Sequence, residues 1–150
     1  MPGLEDLYRE IILDHYRSPR NRGELPPPAR MAEGHNPLCG DEIQVYLDVA
    51  DGKVVDVKIA GQGCSISQSS ASMMSAAVKG KSIDEIRALV RRFKQMMSIE
   101  EEDDATSGID TSVKLGDLEA LQGVVKFPVR IKCATLAWNT LIQALDSPDR

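Results

Sequence analysis

The chain has 150 residues, of which 42% are hydrophobic and 27% charged, and its formal net charge is −5. Such a composition is typical of a single globular domain, and 18 basic against 23 acidic residues leave no basic stripe for nucleic acid. No apolar run approaches the roughly 20 residues of a membrane span, and the N-terminal MPGLEDLYRE lacks the apolar stretch of a signal peptide. We therefore predict one cytoplasmic domain over residues 1–150 that binds neither nucleic acid nor a membrane.

The first part of the chain predicts a helix followed by an antiparallel hairpin. Apolar residues recur at helical spacing over residues 4–16, where His15 is expected at the surface or as a cap. Residues 21–30, NRGELPPPAR, predict a loop. Apolar and polar residues then alternate in DEIQVYLDV and in KVVDVKIAG, which indicates two strands with one buried face. Asp51-Gly52 between them is a strong hairpin signal.

The second part of the chain is predicted to be helical. Small residues dominate SISQSSASMMSAAVKG, which indicates a closely packed helix with Gly80 at its C-cap. Ser82 and Glu85 form a capping box that opens a helix to about Met97.

The remaining residues predict an excursion and two further helices. Residues 98–116 are acidic and weakly apolar, which favours a solvated insertion. LEALQG predicts a short helix, and FPVRIKCATLAWNTLIQAL predicts a long one with Pro128 near its first turn. Residues 147–150 are expected to fray. A helix, an antiparallel hairpin and then helices together predict an α+β fold.

Three cysteines in separate motifs are the candidate functional residues. Cys39 precedes the first predicted strand and Cys64 follows the second, so the hairpin should bring both to one edge of the sheet. Cys133 lies in the first turns of the last helix, whose dipole favours a thiolate. Because cytoplasmic thiols stay reduced, metal binding or thiol chemistry is favoured over a Cys39–Cys64 disulfide. An inert packed thiol is the other interpretation, above all for Cys133.

A fourth donor could complete a metal site with these thiols. Asp41, two residues after Cys39, supplies an oxygen, and three thiolates with one carboxylate suit zinc. His35 is an alternative fourth ligand because imidazole also binds zinc. Spacing alone does not decide between the two.

The motifs NPLCGDEI, GQGCSISQSSASMM and PVRIKCATLAW, preceded by LYREIILDHYRSPRNRG, resemble the IscU-type (NifU-N-like) iron–sulfur cluster assembly family, and within it the SufU branch. The resemblance covers about residues 4–146. It implies a compact domain with a small, mostly antiparallel sheet of about three strands and with helices packed on one face. It also implies one site near the surface, formed by Cys39, Asp41, Cys64 and Cys133.

Three features favour the SufU branch over the cluster scaffolds. The scaffolds carry a histidine directly before the third cysteine, where this chain has Lys132, whose ammonium group is a poor ligand at neutral pH. They also carry a Leu-Pro-Pro-Val-Lys chaperone motif, where this chain has KFPVRIK. The SufU branch has an insertion before its last helices, which residues 98–116 resemble.

Membership of the SufU branch implies a zinc-bound sulfur carrier, a zinc-dependent sulfurtransferase that accepts persulfide sulfur from a pyridoxal-phosphate-dependent cysteine desulfurase. A downstream SUF scaffold is a further expected partner. We assign Cys39 as the sulfur acceptor because it lies on an exposed loop. Arg130, one helical turn before Cys133, is predicted to contact the desulfurase or the thiolates, or else to be an ordinary surface cation. The alternative function is a non-enzymatic scaffold for a [2Fe-2S] or [4Fe-4S] cluster, since the same thiolates suit iron.

Overall fold

The computed structural model describes residues 4–37, 40–97 and 116–148. The order of elements is α1 (Leu4–Arg17), β1 (Arg30–Asn36), β2 (Asp41–Ala50), β3 (Lys53–Gln62), α2 (Ser65–Val78), α3 (Ile83–Met96), a 3₁₀ helix (Gly116–Lys126) and α4 (Pro128–Asp146). The predicted α+β class is therefore confirmed. Apart from Gly116, the predicted insertion lies outside the described residues, as do residues 149–150 of the predicted tail. Across the described ranges, no helix is both long and apolar enough to cross a membrane.

The sheet has three antiparallel strands in the order β1-β2-β3. Its β2–β3 hairpin turns at Asp51 and Gly52, whose φ angles of 53° and 76° are those expected of the predicted Asp-Gly turn. Strand β1 was not predicted as a strand. It pairs with β2 along its whole length, from Arg30 opposite Leu47 to Asn36 opposite Asp41. With β1 in place, the predicted count of about three strands is confirmed.

The helices cover one face of the sheet, as predicted. Helix α4 contacts β1 and β2, and α2 contacts β3. The sheet contributes alternate residues to the core, namely Ala32, Ile43, Val45, Leu47, Val57 and Ile59. From α4, Trp138 stacks on Phe93 with ring centroids 4.3 Å apart. Burying a large apolar side chain of this kind contributes about 1.5–3 kcal/mol, so this layer stabilises the frame that carries the site.

Helix α2 packs closely through buried serines, which gives its small-residue composition a structural role. Ser70 Oγ donates to the carbonyl of Ala134 at 2.5 Å and accepts from Trp138 Nε1 at 3.1 Å. The expectation that His15 lies at the surface was wrong. His15 is 3% exposed, and its Nδ1 lies 2.8 Å from Ser72 Oγ. The small Ser72 side chain leaves room for the imidazole where α1 packs on α2 and supplies its hydrogen-bond partner.

Candidate metal centre

Asp41, Cys64 and Cys133 come together where β2 begins and α2 begins. Each offers one ligand atom, and these atoms all lie within 4.8 Å of one another. The β2–β3 register pairs Glu42 with Gln62, so the start of β2 lies beside the residues that follow β3. Helix α4 brings Cys133 to the same place from the other side. The structure thus brings together three of the four predicted ligands.

The Asp41 carboxylate is fully buried beside the Cys64 backbone and thiol. Its Oδ1 accepts a hydrogen bond from Cys64 N at 2.9 Å, and its Oδ2 lies 4.0 Å from Cys64 Sγ. Within the described ranges, no Lys, Arg or His forms an ion pair with it. A buried carboxylate is costly unless a cation compensates its charge. The environment of Asp41 therefore fits a bound metal cation.

Cys64 is the N-cap residue of α2, and its side chain is half-buried. Its Sγ accepts the backbone N–H of Ser67 at 3.5 Å, while Ser67 Oγ donates to the Cys64 carbonyl at 3.0 Å. A helix N-terminus favours a negatively charged sulfur. Cys64 carries a free thiol. This position therefore suits a thiolate ligand.

Gly63 permits the close approach of β2 and α2 at this centre. A Cβ atom at Gly63 would lie 2.5 Å from Ser67 Oγ and 3.0 Å from the Asp41 carboxyl carbon, and closer still to Asp41 Oδ1. The sequence analysis missed this steric role and the contribution of Ser67. The GQGCS motif was the available signal.

Cys133 is fully buried in the second turn of α4. Its Sγ lies 3.9 Å from the carbonyl oxygen of Val129. The helix dipole acts mainly within the first turn, so the dipole favours a thiolate here less than the sequence suggested. The proximity of Cys133 to Asp41 and Cys64 is the stronger reason to assign it a ligand role.

Cys39 lies outside the described residues. Its predicted place in the centre, and its predicted role as sulfur acceptor, stay predictions. The following residue, Gly40, has a φ of 68°, a conformation that favours glycine. The loop between β1 and β2 therefore turns sharply directly before Asp41.

His35 lies on the opposite face of the sheet from Asp41. It pairs with Glu42 across β1 and β2, whereas Asn36 pairs with Asp41, and successive side chains of a strand point to opposite faces. His35 is exposed beside a cleft of about 390 Å³ that Glu33 and Glu42 also line. Of the two candidate fourth donors that spacing left open, Asp41 is the one that meets the thiols.

Arg130 and Lys132 are both exposed on the first turns of α4. Arg130 lines a cleft of about 650 Å³ together with Arg9, Ile66 and Phe127. Its predicted contact with a partner or with the thiolates stays a prediction. Arg9, which is far from the cysteine motifs in sequence, reaches the same cleft from α1.

Comparison with known proteins identifies the family. The family model described as the NifU-like N-terminal domain matches residues 7–134. The zinc-dependent sulfurtransferase SufU of Bacillus subtilis (strain 168) is 48% identical over 138 residues, which cover 92% of this chain and 88% of the relative. The iron–sulfur cluster assembly scaffold protein IscU of Streptococcus pyogenes serotype M1 is 40% identical over 142 residues, which cover 95% of this chain and 84% of the relative.

Solved structures agree with this comparison. The protein described as an iron–sulfur cluster assembly scaffold for the SUF system (FiSufU), from thermophilic Fervidobacterium islandicum AW-1, superposes with a TM-score of 0.81 at 34% identity, covering 95% of this chain and 99% of that one. The N-terminal part of a NifU-like protein from Brucella abortus superposes with a TM-score of 0.77 at 25% identity, covering 95% of this chain and 94% of that one. The resemblance and the compact fold that it implied are confirmed, and the chain belongs to the NifU-like N-terminal domain family to which its cysteine motifs point.

Proposed function

We propose that the protein is a zinc-bound sulfur acceptor and carrier in iron–sulfur cluster biogenesis. The observation that carries this proposal is the buried group of Asp41, Cys64 and Cys133, whose ligand atoms lie within 4.8 Å of one another. The relative named zinc-dependent sulfurtransferase supports the choice of metal and of activity. In this role the protein accepts sulfur from a pyridoxal-phosphate-dependent cysteine desulfurase, acts in the reducing cytoplasm and supplies a downstream SUF scaffold.

The donor set fits zinc. Two sulfurs and one carboxylate oxygen are ligands that zinc accepts, and catalytic zinc sites use three protein ligands with a fourth position for another group. We assign Asp41, Cys64 and Cys133 to the first three positions and Cys39 to the fourth. Bound zinc keeps coordinating thiols deprotonated at neutral pH.

The chemical step assigned to Cys39 is thiol exchange. Its thiolate attacks the outer sulfur of the desulfurase persulfide, forming a new S–S bond while the S–S bond on the desulfurase breaks. The desulfurase cysteine leaves as a thiolate, and Cys39 becomes the persulfide. One persulfide is consumed and one is formed, so the step needs no oxidant or reductant.

A cluster scaffold is the second candidate function. It is favoured by the IscU scaffold that is 40% identical to this chain and by the affinity of thiolates for iron. Lys132 argues against it, because its exposed side chain carries an ammonium group, which cannot act as a ligand while protonated. We also propose that residues 98–116 are an insertion of the SufU type, which is consistent with the carrier role.

The test starts from the metal and acid-labile sulfide content of protein purified without oxygen, followed by desulfurase turnover with and without the protein. Stoichiometric zinc, no iron and faster turnover are expected. Iron with labile sulfide and no acceleration would assign the scaffold function instead. Cys39→Ala should abolish sulfur acceptance but not partner binding, so full stimulation by this variant would refute the assigned step.

A further inference from the structure

We propose that Arg22 is a positioning residue of the metal centre, an inference that rests on the metal site of the proposed function. Its guanidinium group joins the two flanks of the segment that carries Cys64. One Nη atom donates to the carbonyl of Gly61 near the end of β3, and the other donates at 2.8 Å to Oε1 of Gln68 on α2. Residues 61–64, which lie between these two contacts, are called the ligand connector below.

The ligand connector needs support from outside itself. Gly61 and Gly63 have no side chain, so this backbone has more conformational freedom than that of other residues. A Cβ atom at Gly61 would lie 2.9 Å from carbon atoms of the β2 backbone, so no larger and stiffer residue fits there. Cys64 is only half-buried, whereas Asp41 and Cys133 are fully buried. Of these three donors, Cys64 is therefore the one that core packing restrains least.

The side chain of Arg22 begins on a fixed piece of backbone. Ile59 N donates to the carbonyl of Asn21, and Gly23 N donates to the carbonyl of Ile59, each at 2.9 Å. The Asn21 side chain also donates to Ser75 Oγ on α2 at 3.1 Å. Residues 21–23 are thus attached to both elements that the connector joins. Because a guanidinium group presents its donors in a rigid plane, its two contacts fix the distance between the ends of the connector.

A chain of hydrogen bonds leads from Arg22 to the metal ligands. Gln68 N donates to the carbonyl of Cys64 at 3.0 Å, and Cys64 N donates to Asp41 Oδ1 at 2.9 Å. A shift of the connector would therefore move Cys64 Sγ relative to Asp41. Groups that orient metal ligands from outside affect metal affinity strongly. Arg22 is exposed, so shortening its side chain leaves no cavity, and the effect should fall on metal binding and not on the core.

The test compares two neighbouring arginines. Arg22→Met keeps the apolar stem of the side chain and removes both donors. Arg20→Met is the matched control, because it makes the same change where the guanidinium group donates to Asp14 and to the Ser18 carbonyl at the end of α1. The measured quantities are zinc affinity by chelator competition at pH 7, the absorption spectrum of the Co²⁺-loaded protein and the Tm of metal-free protein. The cobalt spectrum reports thiolate ligation and coordination geometry.

We expect Arg22→Met to weaken zinc binding about tenfold and to reduce the thiolate-to-cobalt absorption bands. The Tm of metal-free protein should fall no further than in Arg20→Met, which should bind zinc like wild type. Gln68→Ala removes one of the two contacts and should also weaken zinc binding. Adding it to Arg22→Met should have no further effect, because both substitutions remove the same contact. Equal zinc affinity in Arg22→Met and Arg20→Met would overturn the proposal.

Other outcomes also decide the question. Arg22→Lys keeps the charge but lacks the planar pair of donors, so we expect it to restore little of the lost affinity. Full recovery by Arg22→Lys would assign the effect to charge and overturn the positioning role. A metal-free Tm that falls further in Arg22→Met than in Arg20→Met would assign Arg22 to the stability of the fold instead. Wild-type protein that binds neither zinc nor cobalt would refute the proposed metal site itself, and the positioning role with it.

Discussion

Replacing Gly63 with alanine tests the steric basis of the metal centre. The new methyl group would lie 2.5 Å from Ser67 Oγ and 3.0 Å from the Asp41 carboxyl carbon, whereas Cβ atoms essentially never approach other atoms closer than 3.0 Å. Both neighbours are ends of short side chains, and a hydrogen bond holds each of them in place. The Asp41 carboxylate accepts from Cys64 N, and Ser67 Oγ donates to the Cys64 carbonyl. The methyl group must therefore displace the carboxylate or the first turn of α2.

The size of the effect follows from these contacts. Inserting a methyl group into a packed site costs about 1–3 kcal/mol, and misorienting a ligand costs about 10–100-fold in metal affinity. For a chain of this length, each kcal/mol lowers Tm by about 2–4 °C. We therefore expect Gly63→Ala to lower the Tm of metal-free protein by roughly 2–12 °C and to weaken zinc binding at least about tenfold.

The assays are chelator competition for zinc at pH 7 and thermal unfolding of the metal-free protein. Gly123→Ala is the matched control, because its Cβ would meet nothing within 4 Å. It should bind zinc like wild type and keep its Tm. If Gly63→Ala matches this control in both measurements, the close packing of Asp41 against the start of α2 does not shape the site.

Three further predictions concern charge, packing and capping. In metal-free protein at pH 7, Asp41→Asn should raise the free energy of unfolding by about 1–3 kcal/mol, because it removes an uncompensated buried charge. The same substitution should weaken zinc binding. A metal-free variant that is less stable than wild type in urea denaturation would contradict this prediction. Trp138→Phe removes the hydrogen bond to Ser70 Oγ and leaves a space, so urea denaturation should show a loss of about 1–3 kcal/mol, and an unchanged midpoint would refute the role of this contact. Hydrogen bonds from the hydroxyl and backbone of the N-cap residue Ser82 hold the pKa of Glu85 below its ordinary value of 4.5. The ionised Glu85 therefore contributes its full stabilisation above pH 4.5, and this stabilisation is lost as the pH falls through the lower pKa of the folded state. Glu85→Gln should remove this part of the pH dependence, which urea midpoints measured between pH 3 and 6 would reveal.

The strand that sequence reasoning missed shows where local patterns fail. Strand β1 has the sequence RMAEGHN, which contains few apolar residues and a central glycine. It is a strand because β2 pairs with it and because α4 packs across it. A Cβ at Gly34 would lie 3.1 Å from Leu136 Cδ1, so the glycine that weakens the strand signal is what admits the helix. The β2–β3 hairpin was predictable because both its alternation and its Asp-Gly turn are local.

The site was predictable to the extent that local pairing determines it. A hairpin necessarily places the start of β2 beside the end of β3, which brings Asp41 to Cys64. The position of Cys133 depends on how α4 packs, and the choice of Asp41 over His35 depends on strand register, which spacing does not reveal. His15 was misplaced for a related reason, because its burial depends on a small residue in another helix.

If the proposed function is correct, the four metal ligands have two different roles: Asp41, Cys64 and Cys133 anchor the metal, and Cys39 accepts sulfur. Asp41 is held by the Cys64 backbone, Cys64 caps α2, and Cys133 is fixed within α4. We therefore expect these three ligands to stay together when Cys39 leaves to accept sulfur. A zinc site with three protein ligands is still a stable arrangement. We therefore expect Cys39→Ala to retain stoichiometric zinc at micromolar protein while Cys133→Ala loses zinc and stability, as measured by metal analysis after gel filtration. Equal zinc loss in both variants would mean that Cys39 anchors the metal as firmly as the others, and a nucleophile held so firmly could not act as the carrier.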